Sequence, residues 1–276
     1  MVFIVQELFD LARVIMSLFF LLYASWSDYK TREVSNSVWI VYAPLAFALT
    51  FSELFLYENT STMLFYGISF SLTAAFSIIL FYSGGFGGAD AKALMCLALA
   101  LPFYPENSFM PLLGEISPIS QKFFPLTVFS NSVLLAAFTA IYMFFRNIFW
   151  HQKTGRKLFE EGYGNESFGR KFLILITGYK VSVSKLKEKW HLYPLEDIEN
   201  TENGFKRKLV ISTGIPKDED RNAIVERLEK GVENRLIQDM VWATPSLPML
   251  IFVTAGLITA LFFGDIVWIC IRLSLG

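Results

Sequence analysis

Long apolar runs, each broken by a short polar stretch, set the plan of this chain. A hydrocarbon core takes about 20 apolar residues as helix. Runs of that kind fall at Val2–Trp26, Val38–Tyr57, Met63–Phe81, Phe124–Phe145 and Leu247–Leu273. A shorter run, Ala91–Phe103, predicts a span that is tilted, kinked or continued past Pro102. The stretch after it, Phe103–Phe123, holds Pro105, Pro111 and Pro118 and is the least predictable part of the membrane region. Between positions 146 and 240 the pattern changes. Alternating and β-branched runs at Lys171–Thr177, Lys180–Lys185 and Lys206–Thr213, punctuated by Gly178, Gly204 and Gly214, predict strands. Asp218–Met240 carries Ile224, Leu228, Val232 and Leu236 at spacings of four, which predicts an amphipathic helix. Tyr163–Ser167 reads as a flexible loop. The expected fold is a polytopic α-helical membrane protein, with about six transmembrane helices and a small cytoplasmic α+β domain inserted before the last. Helices one to five then occupy 1–145, an antiparallel sheet with one helix 146–240, and the sixth membrane helix 241–276.

Composition agrees. Of the 276 residues, 54% are hydrophobic and only 18% are charged, against about 25% in soluble proteins. The charge is also uneven: 18 of the 24 Lys and Arg residues lie between Arg146 and Arg235. A soluble enzyme is excluded, and the net charge of −1 merely averages two unlike parts. Basic residues orient the spans. Lys30 and Arg32 follow the first, Lys92 opens the fourth, and the basic block follows the fifth, whereas Glu58–Thr62 and Tyr104–Phe123 hold only Lys122. The expected arrangement in the cell membrane has the N-terminus outside, the soluble domain in the cytoplasm and the C-terminus outside. Glu7 and Asp10, without a basic n-region, predict that the first run stays as a helix. Cys96 and Cys270 sit in apolar segments without metal spacing, and both histidines, His151 and His191, fall in the soluble part. A histidine-ligated metal inside the membrane is excluded by that inventory.

The candidate chemistry lies in two aspartates. Asp28 closes the first apolar run, and Asp90 follows Gly84-Gly85-Phe86-Gly87-Gly88-Ala89. On this topology both emerge at the cytoplasmic face, where a one-span error would part them by a membrane thickness. An acid at membrane depth is costly and marks a functional site. Two carboxyls on neighbouring helices can share one proton, so that one takes a proton from water while the other donates to a substrate carbonyl. Glycines ahead of Asp90 allow unusual backbone and the close approach of a substrate strand.

Asp28 with Lys30, Arg32, Val34 and Asn36, followed by Gly87-Gly88-Ala89-Asp90-Ala91-Lys92, resembles the GxGD membrane aspartyl proteases. Within them the match is to the type IV prepilin peptidases, nearest the archaeal preflagellin (prearchaellin) peptidases. Val241-Trp242-Ala243-Thr244-Pro245-Ser246-Leu247-Pro248 and Gly264-Asp265 also look like the archaeal members. The resemblance implies that Asp28 and Asp90 are the catalytic pair and that Gly87, Gly88 and Ala89 shape the substrate side. It implies a substrate of preflagellin or type IV pilin kind, cut at the cytoplasmic face between a short basic leader and a hydrophobic helix, typically just after a glycine. Ala89 departs from the family's second glycine, a small residue in its place. The bacterial relatives' cysteine-containing region and methyltransferase role have no counterpart, so peptidase activity alone is expected, with no cofactor.

Plainer readings compete for each signal. Asp28 alone fits an interfacial helix end paired with Lys30 or Arg32, and Asp90 alone fits a helix N-cap. Asp265 is a competing acid, or the outer end of the last span. Lys30, Arg32 and Lys92 are topology anchors first, with a supporting part beside the aspartates second. The glycine cluster lacks GxxxxGKS/T and a complete GxGxxG, which argues against nucleotide. In the soluble block bases are mixed with acids such as Glu160, Glu161 and Glu166, which predicts a solvated surface near anionic lipid, not a nucleic-acid site. Those acids are also candidates to receive a basic leader. A proton- or cation-coupled transporter is the rival class; it predicts acids at mid-span and inverted repeats, and neither is present.

Overall fold

The computed structural model describes residues 2–57, 60–160, 163, 164, 166–201, 204–210 and 218–275. The chain divides into two compact units, Met1–Ala136 with Pro248–Gly276, and Ala137–Leu247. In chain order the helices are α1 (Val2–Thr31), α2 (Asn36–Tyr57), α3 (Thr60–Tyr82), α4 (Gly88–Ala100), α5 (Pro118–Thr154), α6 (Phe168–Thr177), α7 (Val183–Glu188), α8 (Asp218–Glu233), α9 (Met249–Phe263) and α10 (Ile266–Leu275). The strands are β1 (Tyr179–Ser182), β2 (Leu192–Pro194), β3 (Glu196–Thr201), β4 (Gly204–Leu209) and β5 (Met240–Pro245).

Helices α1, α2, α3 and α5 are each long and apolar enough to cross a membrane, and α9 with α10 passes the same test as one span bent by 54°; all but the C-terminal half of α5 lie in the first unit. This is a multi-pass membrane protein. Helix α4 lies at its centre, packed by α1, α2, α3 and α9. Ala91, Ala93, Ala98 and Ala100 are buried along it, and such small side chains let neighbouring helices come close. Its 13 residues rise only about 20 Å, short of a hydrocarbon core of about 30 Å. Beyond α4 the chain runs without helix as far as α5. Asn107 N–H donates to Asp10 Oδ2 at 3.2 Å and Ser108 Oγ to the Glu7 carbonyl at 3.0 Å, at the far end of α1. Irregular backbone at that depth has to be satisfied by protein. Here Tyr104 N–H donates to the Ser120 carbonyl, Phe124 N–H to that of Pro102, and Tyr104 OH to that of Leu261.

The last span, expected as one continuous helix, is broken at Gly264, whose φ of 84° suits glycine. The freed groups are taken up locally. Asn131 donates to the Gly264 carbonyl at 2.9 Å and accepts from Ile266 N–H at 3.1 Å. Asp265 caps α10 by accepting from Trp268 N–H at 3.0 Å, and it also receives the Ser117 hydroxyl at 3.0 Å. It is a buried structural residue among these partners.

The second unit carries a three-stranded antiparallel sheet in the order β1-β5-β2, and the β3-β4 hairpin. The sequence expectations need four corrections here. Lys171–Thr177, read as a strand, lies in α6. Ser167 accepts from Arg170 N–H and starts the helix, while Ile174 and Leu175 turn inward at helical spacing; so short an apolar run has no decisive period of its own. Lys180–Lys185 is a strand only to Ser182, which then caps α7 by accepting from Lys185 N–H. Helix α8 ends at Glu233, and its inward face is Arg221, Val225, Leu228 and Gly231, so Leu236 is exposed beyond it. Tyr163, assigned to a flexible loop, is 1% exposed and donates to Glu196; Asn165 of that loop lies outside the described residues. Gly214 and the end of the third run, residues 211–213, do too. Val241–Pro245 form the central strand of the sheet, and the following helix starts at Met249.

Candidate active site

Helix α1 stops one turn after Asp28 for a local reason. Arg32 takes a left-handed φ of 59° while its N–H still donates to the Asp28 carbonyl at 3.0 Å. The hydroxyls of Ser27 and Thr31 both donate to the Glu33 carbonyl, at 2.7 and 3.0 Å, and fix the reversal into α2. Asp28 is left half-buried at the end of its helix. A second element reaches it: the Leu250 backbone N–H, in the first turn of α9, faces the Asp28 carboxyl and acts on it electrostatically. The positive end of a helix dipole therefore points at this acid.

Asp90 is set by the turn from α3 to α4. Gly84 has a φ of 75°, and the Gly85 and Phe86 N–H groups both donate to the Leu80 carbonyl. Phe86, 6% exposed, plugs the turn against Phe129. Gly87 then runs extended, with φ −70° and ψ 158°. Asp90 is the third residue of the helix rather than its cap, and its Oδ2 reaches back to accept the Gly87 N–H at 3.0 Å. A Cβ at Gly87 would stand 3.0 Å from that same oxygen. Of the glycines ahead of Asp90, Gly84 is thus needed for its backbone and Gly87 for space beside the carboxyl. Gly88 has Phe81 3.5 Å from where its Cβ would be, and Ala89 packs partly buried on the core.

The two acids lie at the same end of the first unit, close enough that Asp90 feels the charge of Asp28. No hydrogen bond joins them among the described residues. Lys92 Nζ donates to Asn36 Oδ1 at 2.6 Å and ties the start of α4 to the start of α2. Lys30 lies over the Trp26 ring at 5.0 Å. Arg32 acts electrostatically on Asp28, and its Nη1 is buried without a hydrogen-bond partner.

Two features escaped the sequence reading. The Leu250 amide is one; the Pro248 ahead of an apolar run was its only signal. The other is a buried ion network at the opposite end of α1, where Arg13 pairs with Asp10 and, at 2.7 Å, with Glu53 of α2. Asp10 and Arg13, three apart in a helix, are visible as one face; their partner is not. A pocket of about 480 Å³ lined by Asp10, Arg13, Glu53, Asn107 and Lys122 opens there. It lies about 27 Å along α1 from Asp28, at about 1.5 Å per residue, and is separate from the aspartates.

Residues 15–141 match the type IV leader peptidase family, and residues 170–266 match a family described as archaeal peptidase A24 C-terminus type II. The chain thus carries a type IV leader peptidase domain followed by an archaeal peptidase A24 C-terminal domain. A preflagellin peptidase of Methanococcus voltae is 28% identical over 255 residues, covering 89% of this chain and 92% of the relative. One from Methanococcus maripaludis is 24% identical over 250 residues, and one from Methanocaldococcus jannaschii 23% over 252, each covering 89% of this chain. The match to the first relative spans nearly all of both chains, so this leader peptidase shares both units with it. A transporter gains no support from these relatives. The acids said to be exposed need correction as well: Glu160 pairs with Arg207, while Glu166 receives Arg170 at 2.8 Å and the Leu209 N–H at 3.1 Å. Glu161 lies outside the described residues.

Proposed function

We propose that this leader peptidase removes the short basic leader from preflagellin or type IV pilin-like precursors at the cytoplasmic face of the cell membrane, with Asp28 and Asp90 as its catalytic pair. The observation that carries the reading is the convergence of two acids, distant in sequence, at one end of the helical unit. The kinship with preflagellin peptidases supports the substrate class.

Like charges this close hold one proton between them. One carboxylate takes a proton from water, the resulting hydroxide attacks the scissile carbonyl carbon, and the other carboxyl gives its proton to the carbonyl oxygen. The gem-diol then collapses. The first carboxyl returns its proton to the leaving nitrogen, a hydroxyl proton returns to the second, and the C–N bond breaks with both acids restored. Gly87 and Ala89 leave room for substrate backbone at Asp90. Lys30 and Lys92 serve as anchors on Trp26 and Asn36, on the side where basic residues favour the cytoplasm.

The test is incubation of membranes containing the enzyme with a leader-bearing preflagellin, followed by N-terminal sequencing of the product. Cleavage at the end of the leader is expected. Asp28→Asn and Asp90→Asn should each reduce it by at least about 100-fold while the protein remains inserted, since each removes half of one acid–base unit. Substantial cleavage by either variant would sink the dyad.

A further inference from the structure

Three cations flank the two acids, and the structure separates them. Lys30 is occupied by the Trp26 ring and Lys92 by Asn36. Among the described residues Arg32 shows neither kind of contact: its Nη1 is buried and unbonded, and its charge is directed at Asp28. It is also held where it is at a cost. A left-handed φ at a residue with a Cβ is unfavourable, and it persists here because the Ser27 and Thr31 hydroxyls, both on α1, hold the Glu33 carbonyl beyond the turn. Glycine would take this backbone without strain.

The surroundings of the two acids are unequal in the same sense. Asp28 meets a guanidinium from the turn that ends its own helix and the N–H of Leu250 at the positive end of α9. Asp90 is 9% exposed, receives the Gly87 N–H from its own turn, and meets the negative charge of Asp28 across the gap. Each acid thus meets the N-terminal end of a helix, and what sets Asp28 apart is the guanidinium directed at it.

Resting on the leader-peptidase reading above, we propose that Arg32 is a positioning residue that keeps the dyad's single negative charge on Asp28. Asp28 is then the carboxylate that takes the proton from water, and Asp90 the carboxyl that donates to the scissile carbonyl. Arg32 acts through Asp28 and performs no proton transfer of its own. The strained turn exists to aim it.

Two substitutions separate its charge from its backbone. Arg32→Gly relieves the left-handed strain and deletes the charge; Arg32→Lys keeps a charge and the strain. Cleavage of a leader-bearing preflagellin by full-length enzyme in membranes is measured against pH, with thermal unfolding of each variant as the folding control. The expected result is an Arg32→Gly enzyme at least as stable as wild type, at least about tenfold lower in kcat, with KM within about twofold and the acid side of its pH–rate profile moved toward neutrality. Arg32→Lys should retain most of the rate and a profile near wild type. An Arg32→Gly enzyme with wild-type kcat and profile overturns the inference, and so does an equal loss in both variants with unmoved profiles. A wild-type enzyme that cleaves no precursor, or an active Asp28→Asn variant, strikes instead at the leader-peptidase reading.

Discussion

Two small residues beside Asp90 set its freedom. A Cβ on Gly87 would meet Asp90 Oδ2 at 3.0 Å, so Gly87→Ala has to turn that carboxyl by a few tenths of an ångström. A misplacement of about 1 Å can lower a rate roughly a hundredfold; for Gly87→Ala a fall in kcat of roughly tenfold is expected, with KM little changed. Ala89 stands where the family pattern has glycine, partly buried on the core. Ala89→Gly should cleave at an equal or modestly lower rate, since glycine adds freedom that the turn must freeze. Ala89→Leu should lose roughly a hundredfold; full activity in that variant would remove this segment from the substrate side. At this scale the aspartates and glycines were readable, because an acid at the end of an apolar run is unusual wherever it occurs. The Leu250 amide was not readable: it is a backbone group, delivered by a helix more than two hundred residues later.

Among the elements, the long spans announced themselves by length and hydropathy, whereas the short ones depended on a single capping residue. Lys171–Thr177 became a helix through Ser167, and Lys180–Lys185 changed from strand to helix at Ser182. The hairpin β3-β4 carries a charged group that makes its unit sensitive to pH. Glu196 is buried with Tyr163 and Arg207, and burial pushes its carboxyl up to about 7 in spite of the nearby guanidinium. An ordinary glutamate titrates near 4.3. Between those two values the folded unit holds a proton that the unfolded chain has released, so stability falls as pH rises from about 5 to 7. Glu196→Gln should remove that slope. Thermal unfolding of both proteins at pH 5, 6 and 7 measures it, and parallel curves would place the sensitivity elsewhere. Lys180, pushed down to about 7 chiefly by burial, contributes in the opposite direction at higher pH.

For the whole molecule, charge along the chain predicts an orientation, and the proposed cytoplasmic placement of the second unit is open to a direct test. In a background lacking Cys96 and Cys270, Lys153→Cys places a thiol at an exposed position. It should stay unlabelled by an impermeant reagent on intact cells and label once the cytoplasmic face is opened. Labelling of intact cells would invert the arrangement. The sequence predicts about six crossings, whereas among the described residues four helices are long and apolar enough to cross, or five spans with the bent α9–α10 pair, and α4 is too short to be one of them. Prolines signal that a helix ends, but they do not say that the chain beyond α4 is held by bonds to Ser120, Leu261 and Asp10.

The ion network of Asp10, Arg13 and Glu53 bears on biogenesis. A first helix threaded alone into lipid would bring Asp10 and Arg13 with it as a tight pair, while the second would bring Glu53 with nothing to meet it. Lone carboxylates partition poorly into hydrocarbon, at roughly 2.5–3.5 kcal/mol near the centre of a span. Delivered together, the two helices carry a guanidinium already shared between two acids. The first two segments should therefore enter the bilayer as one hairpin. In a translation–insertion assay with an added glycosylation site, the second segment should integrate more poorly behind an Arg13→Leu first segment than behind the native one.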